Sequence, residues 1–283
     1  MAVGQTFYEV LTAAVDDLAE HGFDSVERVA RWTEALRLAA GTATASPAEL
    51  ERMLKEGLAS VYRRMVDDGG LARMHPGVGR FTLEQVKPKL RAELDRRIMA
   101  SASLIRLNRE QAIDKTIQRF QGWASSIPIG GSAEPEKAKT KKNVRKSLAQ
   151  LPFEERRVLI DQGHKLTASL SNILATDGGA IAAKWRSHWR QAGYNYREDH
   201  KERDEKVYAL RESWAMNRGL MKRGPNPYYD DITQAAEEPF CRCYIVWIYA
   251  IKDLPPDMVT QKGRRESVEI GMTWGAKFAE PRS

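Results

Sequence analysis

Apolar residues recur at helical spacing through the first 124 residues of the chain. Phe7, Val10, Leu11, Ala14, Val15 and Leu18 form one stripe that ends at Gly22, which predicts a helix over 5–21. Val26, Val29, Ala30, Trp32, Ala35 and Leu36 predict a second, starting at Asp24 or Ser25 and ending before Gly41. Ser46-Pro47-Ala48-Glu49 reads as a helix start: serine caps, proline suits the first helical position, and the glutamate can bond back to the cap. The helix that follows carries Leu50, Met53, Leu54, Leu58, Val61, Tyr62 and Met65 and stops at Gly69-Gly70. Thr82-Leu83-Glu84-Gln85 offers a second capping box, and from there helical spacing continues to Ala124, with a bend expected near Pro88.

Ser125-Ser126-Ile127-Pro128-Ile129-Gly130-Gly131-Ser132 interrupts this pattern and leads into a basic run. Together they have the composition of a linker over 125–150. Beyond it, Phe153 to Ala175 reads as helix, Thr176-Asp177-Gly178-Gly179 as a turn, and Ala180–Gln191 as a further helix with Trp185, His188 and Trp189 on one side. Tyr208–Trp214 reads as a short strand. Gly219–Asp231 is too rich in Gly, Pro and Asn for regular structure. Phe240–Ile251 is the best strand in the chain, and its near-continuous apolar run predicts burial on both faces. The expected class is therefore α+β: a largely helical N-terminal region, 1–124, then the linker, and a small α+β domain over 151–255. Its short sheet is built around the Cys-Arg-Cys strand, and a C-terminal extension occupies 256–283, its last ten residues expected to be poorly ordered or docked on a partner.

Charge changes this picture in one respect. The net charge is +7, but residues 1–124 hold 18 basic against 17 acidic side chains and residues 125–283 hold 27 against 21. The excess lies in the second half, densest at Lys137, Lys139, Lys141, Lys142, Arg145 and Lys146. That run reads either as a phosphate-contacting segment, whose binding would be salt-dependent, or as a solvated linker; no aromatic residue interleaves it to stack on bases. With 42% hydrophobic and 29% charged residues the chain is globular. No window approaches 18 consecutive apolar residues, so no membrane span is expected, and no signal peptide is read at the N-terminus. Two cysteines exclude a disulfide scaffold.

Candidate chemistry gathers between Tyr194 and Leu254. Cys241 and Cys243, with His200 and His188, raise a zinc site, and on a strand both sulfurs would face one way. Structural zinc sites use two paired knuckles, however, and here there is one Cys-x-Cys with two ligands still to find. The expectation is no metal and no cofactor, the thiols packing as small hydrophobes. If helical, His200 and Asp204 sit one turn apart, which suits acid/base work on phosphodiesters; the other reading is an exposed helix with ion pairs. Asp230 and Asp231 lack the alternating acidic spacing of a calcium loop. No Gly-rich phosphate loop, serine elbow or His-Glu-x-x-His motif occurs.

Three stretches carry a resemblance. They are Leu104–Arg109 through Phe120-Gln121-Gly122-Trp123 to Pro128, then Ile173–Ile181 with Trp185 and Trp189, and last Tyr196-Arg197-Glu198-Asp199-His200, Arg203-Asp204, Trp214 and Phe240-Cys241-Arg242-Cys243-Tyr244. Over roughly residues 100–255 the chain resembles the phage head-morphogenesis family, minor head proteins similar to the F protein of phage Mu. It departs in the long insertion between His200 and Cys241, and the first hundred residues match nothing in that pattern. The resemblance implies a signature at Asp177, His200, Arg203, Asp204, Trp214, Cys241, Arg242 and Cys243. It also implies a non-enzymatic virion protein made in the host cytoplasm, present in few copies and associated with the portal, the major coat protein or the capsid interior. Its role would lie in head assembly, genome packaging or genome ejection, with packaged double-stranded DNA near the basic run. The alternative is a nuclease or toxin-like enzyme using His200 with Asp204 or Asp199.

Overall fold

The structure, a computed structural model, describes residues 5–128, 130, 131 and 133–266. Helix accounts for 65% of the described residues, joined among them by a small three-stranded antiparallel sheet in the C-terminal part. The α+β class expected from the sequence is the observed one. The division of the chain is different. Two compact units form, one from residues up to Gly57 with Ile98–Ile160, the other from Leu58–Arg97 with the described residues from Asp161 onward. Helices α3 (Pro47–Val66), α5 (Arg80–Ala124) and α7 (Lys146–Asp177) each contribute to both units, so no boundary falls at 125–150. The expectation for the last ten residues lies outside the described ones.

The first unit is helical. Its α1 (Phe7–His21) begins at Thr6, whose hydroxyl accepts from Glu9 N while the Glu9 carboxylate accepts from Thr6 N, a reciprocal cap. The predicted stripe is the buried one: Phe7, Val10, Leu11, Ala14, Val15 and Leu18 all enter the core, with Leu36 from α2 (Val26–Ala39) and Phe120 from α5. Ser46 and Glu49 form the expected capping box.

The expected linker is mostly helix. Residues Glu134–Val144 form α6, and Val144, Leu148 and Leu151 complete the core around α1. Gly130 and Gly131, at φ 95° and 86°, make a turn packed against the end of α1, where a Cβ on Gly131 would lie 1.9 Å from Ala19 O. Gly130 is selected by its positive φ and Gly131 by that close backbone approach, not by a need for slack.

In the second unit, α4 (Gly70–Met74) leads to α5, which starts at Arg80 because the Gly79 carbonyl already accepts from Leu83 N. Thr82 therefore lies inside the helix and caps nothing. Ala182–Arg186, expected as helix, is instead β1, the central strand. It pairs antiparallel with β2 (Val207–Ala209) and with β3 (Tyr244–Ile248), Trp185 lying opposite Ile245 and Arg186 opposite Tyr244. On one face Ala183, Trp185, Tyr208, Ile245 and Trp247 form a core with Cys241 and Cys243. On the other, Ala182, Val207, Ala209 and Ile248 pack under Leu220, Met221 and Met258. Tyr244 and Val246 remain exposed. The strand is thus shorter than expected and alternates, since β3 is an edge whose second face is covered only at one end.

A buried polar network supports the first face. His75 is fully buried, its Nδ1 2.5 Å from the Tyr249 hydroxyl and its Nε2 3.1 Å from Ser171 Oγ, which also accepts from Trp247 Nε1 at 3.0 Å. Burial depresses the His75 imidazole to about 4, so the ring is neutral at physiological pH.

Candidate functional site

Three elements of the second unit converge on one small polar volume. The connection from β1 to β2 contains α8 (Glu198–Glu202), a single turn and a half that carries His200. The Cys-Arg-Cys run lies immediately before β3, and β1 supplies Trp185 and then Ser187. Continuing the β1–β3 register by one residue past Arg186 and Tyr244 places Ser187 opposite Cys243. His200 is 1% exposed, Cys241 1% and Cys243 4%. The His200 Nδ1 atom is 3.5 Å from Cys241 Sγ and 3.5 Å from Cys243 Sγ, although the residues are 41 and 43 positions apart.

The shell around this triad is unusual in what it leaves unmet. His200 Nε2, Trp185 Nε1 and Ser187 Oγ are buried without a hydrogen-bond partner. The nearest acceptor to His200 Nε2 is Glu238 Oε2 at 3.4 Å, with Asp199 Oδ2 at 3.8 Å. Glu238 is in turn ion-paired with Arg197 Nε at 2.7 Å, and Arg197 donates to Pro239 O. Each orphaned buried group costs about 1–3 kcal/mol, and native structures keep few of them without reason.

The thiols titrate as a pair. The hydrogen bond from Cys243 holds the Cys241 thiol well below the ordinary thiol range against the opposing effect of burial, with His200 helping. Cys243 is pushed up, first by that same bond and then by burial, while Ser187 and the Trp185 indole favour its thiolate. Chemically the set is two soft donors and one imidazole, which suits zinc-class cations.

The remaining signature residues are tied into the fold. Asp204 lies beyond the end of α8 and accepts from Ser187 N and Trp189 Nε1, both at 2.9 Å. Burial alone would raise its carboxyl, but these two donors hold it below the usual carboxylate range. The His200–Asp204 pair of the enzymatic alternative is therefore not formed: the helix ends at Glu202, and Asp204 is committed to Ser187 and Trp189. Arg203 donates to Thr233 O, pairs with Asp199 at 3.1 Å and lies over the Trp185 ring at 5.2 Å. Trp185 meets His200 edge-on at 5.3 Å. Arg242 lies over Tyr194, whose hydroxyl accepts from Arg242 N.

Asp177 and Trp214 lie apart from this cluster in their bonding. Asp177 pairs with Lys89 at 2.6 Å, and Trp214 Nε1 donates to Gly179 O in the turn before β1. His188 stacks with Tyr244 and is no part of the triad. Asp230 and Asp231 are bridged by Arg211.

Sequence reasoning missed Glu238 and Ser187. Only the pairing of strands and the approach of α8 bring them in, and no spacing along the chain announces it. In the first unit, Lys139, Lys142, Arg145 and Lys146 are exposed on or beside α6, Lys137 is half-buried, and Lys141 is ion-paired with Asp16 at 2.7 Å. No helix among the described residues is long and apolar enough to cross a membrane. No family model, curated protein or solved structure matches the chain.

Proposed function

We propose that the chain is a minor head protein of a phage virion, associated with the portal or the capsid interior and acting in head morphogenesis, without catalytic activity of its own. One observation carries this reading. Residues through which the sequence resembles the Mu F-like family, His200, Arg203, Asp204, Cys241 and Cys243, meet across more than forty positions around Trp185 and Ser187. Motifs shared for their chemistry would leave a reactive group facing solvent or a substrate. Here Asp204 and Arg203 are spent on holding loops, and the histidine and thiols are buried. That pattern supports a signature of fold in an assembly protein.

The exposed cations of α6 and its continuation add a face suited to a polyanion, and packaged DNA is the polyanion of a phage head. Each phosphate contact would release a counterion and make retention salt-dependent. The enzymatic alternative loses its His200–Asp204 pair and keeps Asp199, whose Oδ2 lies 3.8 Å from His200 Nε2. It predicts strand cleavage of plasmid DNA by the purified chain in the presence of divalent cations.

Mass spectrometry of heads purified on a density gradient tests the proposal. The chain should be found at a low, fixed copy number per head and survive washing at high salt. Its absence from heads, or plasmid cleavage by the purified chain, would overturn it.

A further inference from the structure

We propose that His200 Nδ1, Cys241 Sγ and Cys243 Sγ are ligands of a structural zinc ion. A solvent oxygen from the cavity that both cysteines line would complete a tetrahedral shell. The proposal stands on this geometry and holds whether or not the chain is a virion protein.

Distance is the first argument. Tetrahedral zinc with Zn–S of about 2.3 Å and Zn–N of about 2.0–2.1 Å places ligand nitrogen and sulfur about 3.5 Å apart. Nδ1 lies 3.5 Å from each sulfur, and all three atoms fall within 4.8 Å of one another. A compact core could bring one such contact about by packing. Two equal contacts on one ring nitrogen, from sulfurs on one side of a Cys-x-Cys run, describe the corner of a coordination polyhedron.

The surroundings are the second, independent argument. The ring turns Nε2 away from the sulfurs and toward Glu238, itself held by Arg197. A metal-bound histidine commonly directs its other nitrogen at a carboxylate, which fixes the tautomer and the ring plane. Ser187 Oγ and Trp185 Nε1 are buried beside the sulfurs without a hydrogen-bond partner. An ion that deprotonates both thiols gives these donors their acceptors. Charge also balances, because two thiolates neutralise a divalent cation and the Arg197–Glu238 pair is neutral. No net charge is buried. Binding releases two thiol protons to solvent and involves no redox step.

Function follows from position. The ion would pin α8 to the residues that lead into β3, closing a long connection that otherwise depends on a helix of five residues. Zinc therefore replaces core size in stabilising a small sheet.

The test uses the full chain purified under a phosphine reductant. Metal analysis should find about one zinc per chain, and cobalt exchanged into it should show tetrahedral d–d bands with a thiolate charge-transfer band. Cys241→Ser, Cys243→Ser and His200→Ala should each lose most of the metal. Because these variants could fail to fold, Glu238→Gln provides a gentler probe. It should keep the fold by circular dichroism while weakening zinc affinity about 10–100-fold. Chelation of the wild type should lower its thermal midpoint, and added zinc should restore it. A wild-type chain that folds without metal and does not bind cobalt, or that carries a Cys241–Cys243 disulfide, would overturn the proposal. So would undiminished metal in the cysteine variants.

Discussion

The two units hold themselves together by different means. The first buries aliphatic and aromatic side chains on helices, with Phe7, Leu18, Leu36 and Phe120 at its centre. Its polar contacts sit at helix ends, as at Thr6, near the surface, as where Asp17 receives Trp32 and Arg28, and in a buried ion pair of Arg109 with Glu155. The second unit has a small sheet with one alanine-rich central strand, and it places polar groups where the first places leucine. His75, Ser171, Trp247 and Tyr249 form one buried network, while His200, Cys241, Cys243 and their shell form another. Helical packing tolerates exchange among apolar side chains of similar volume. Buried polar networks do not, because each member removed leaves another without a partner. The same chain thus combines a forgiving region with an exacting one.

Several substitutions would break or sharpen that contrast. The largest loss is expected for Trp185→Ala, at about 3–5 kcal/mol, because the ring packs between Arg203 and His200 as well as filling the core. Urea unfolding followed by fluorescence and circular dichroism would read it. In the helical unit Leu18→Met, which keeps volume, should cost less than about 1.5 kcal/mol by the same measurement.

Acid comes next. Unfolded histidine titrates near 6.5, whereas folded His75 does so near 4. The unfolded chain therefore binds the extra proton between those values, and stability present above pH 6.5 is lost as pH falls toward 4. The loss from this one group is roughly 3 kcal/mol. His75→Gln should flatten that part of the stability–pH curve; an unchanged slope would remove His75 as its cause.

Ser171→Ala orphans His75 Nε2 and Trp247 Nε1, at about 1–3 kcal/mol for each group left unmet. Thr6→Ala in the helical unit removes a cap and should cost about 1 kcal/mol. Smallest in stability is the combined change of Lys139, Lys142, Arg145 and Lys146 to Gln, each within about 0.5 kcal/mol. If α6 meets DNA, it should still reduce the slope of log affinity against log salt by about 3–4.

The contrast also explains what the sequence disclosed. Helix α1 was legible to within two residues because six of its positions obey one period and Gly22 marks its end. Five residues cannot show a period, and Ala-Ala-Lys-Trp-Arg has the composition of a helix, so β1 was misread. The glycine turn at 130–131 resembled a linker because close approach to Ala19 O and chain flexibility both select glycine. The cysteines and His200 were recognisable as a group, yet counting knuckles along the chain argued against a metal. The third donor comes from a short helix 41 residues away, the supporting Glu238 from the turn before the cysteines, and Ser187 and Trp185 arrive through strand pairing. His75 left no trace at all. Its partners lie 96 and 174 positions away.

The central claim is that the motif-bearing residues of the second unit close on a metal ion and thereby hold its sheet. Zinc-edge X-ray absorption of the full-length chain tests it most directly. The account predicts a first shell of two sulfur atoms at about 2.3 Å and two nitrogen or oxygen atoms at about 2.0–2.1 Å, with imidazole scattering that disappears in His200→Ala. A shell without sulfur, or a folded chain holding no zinc, would contradict it.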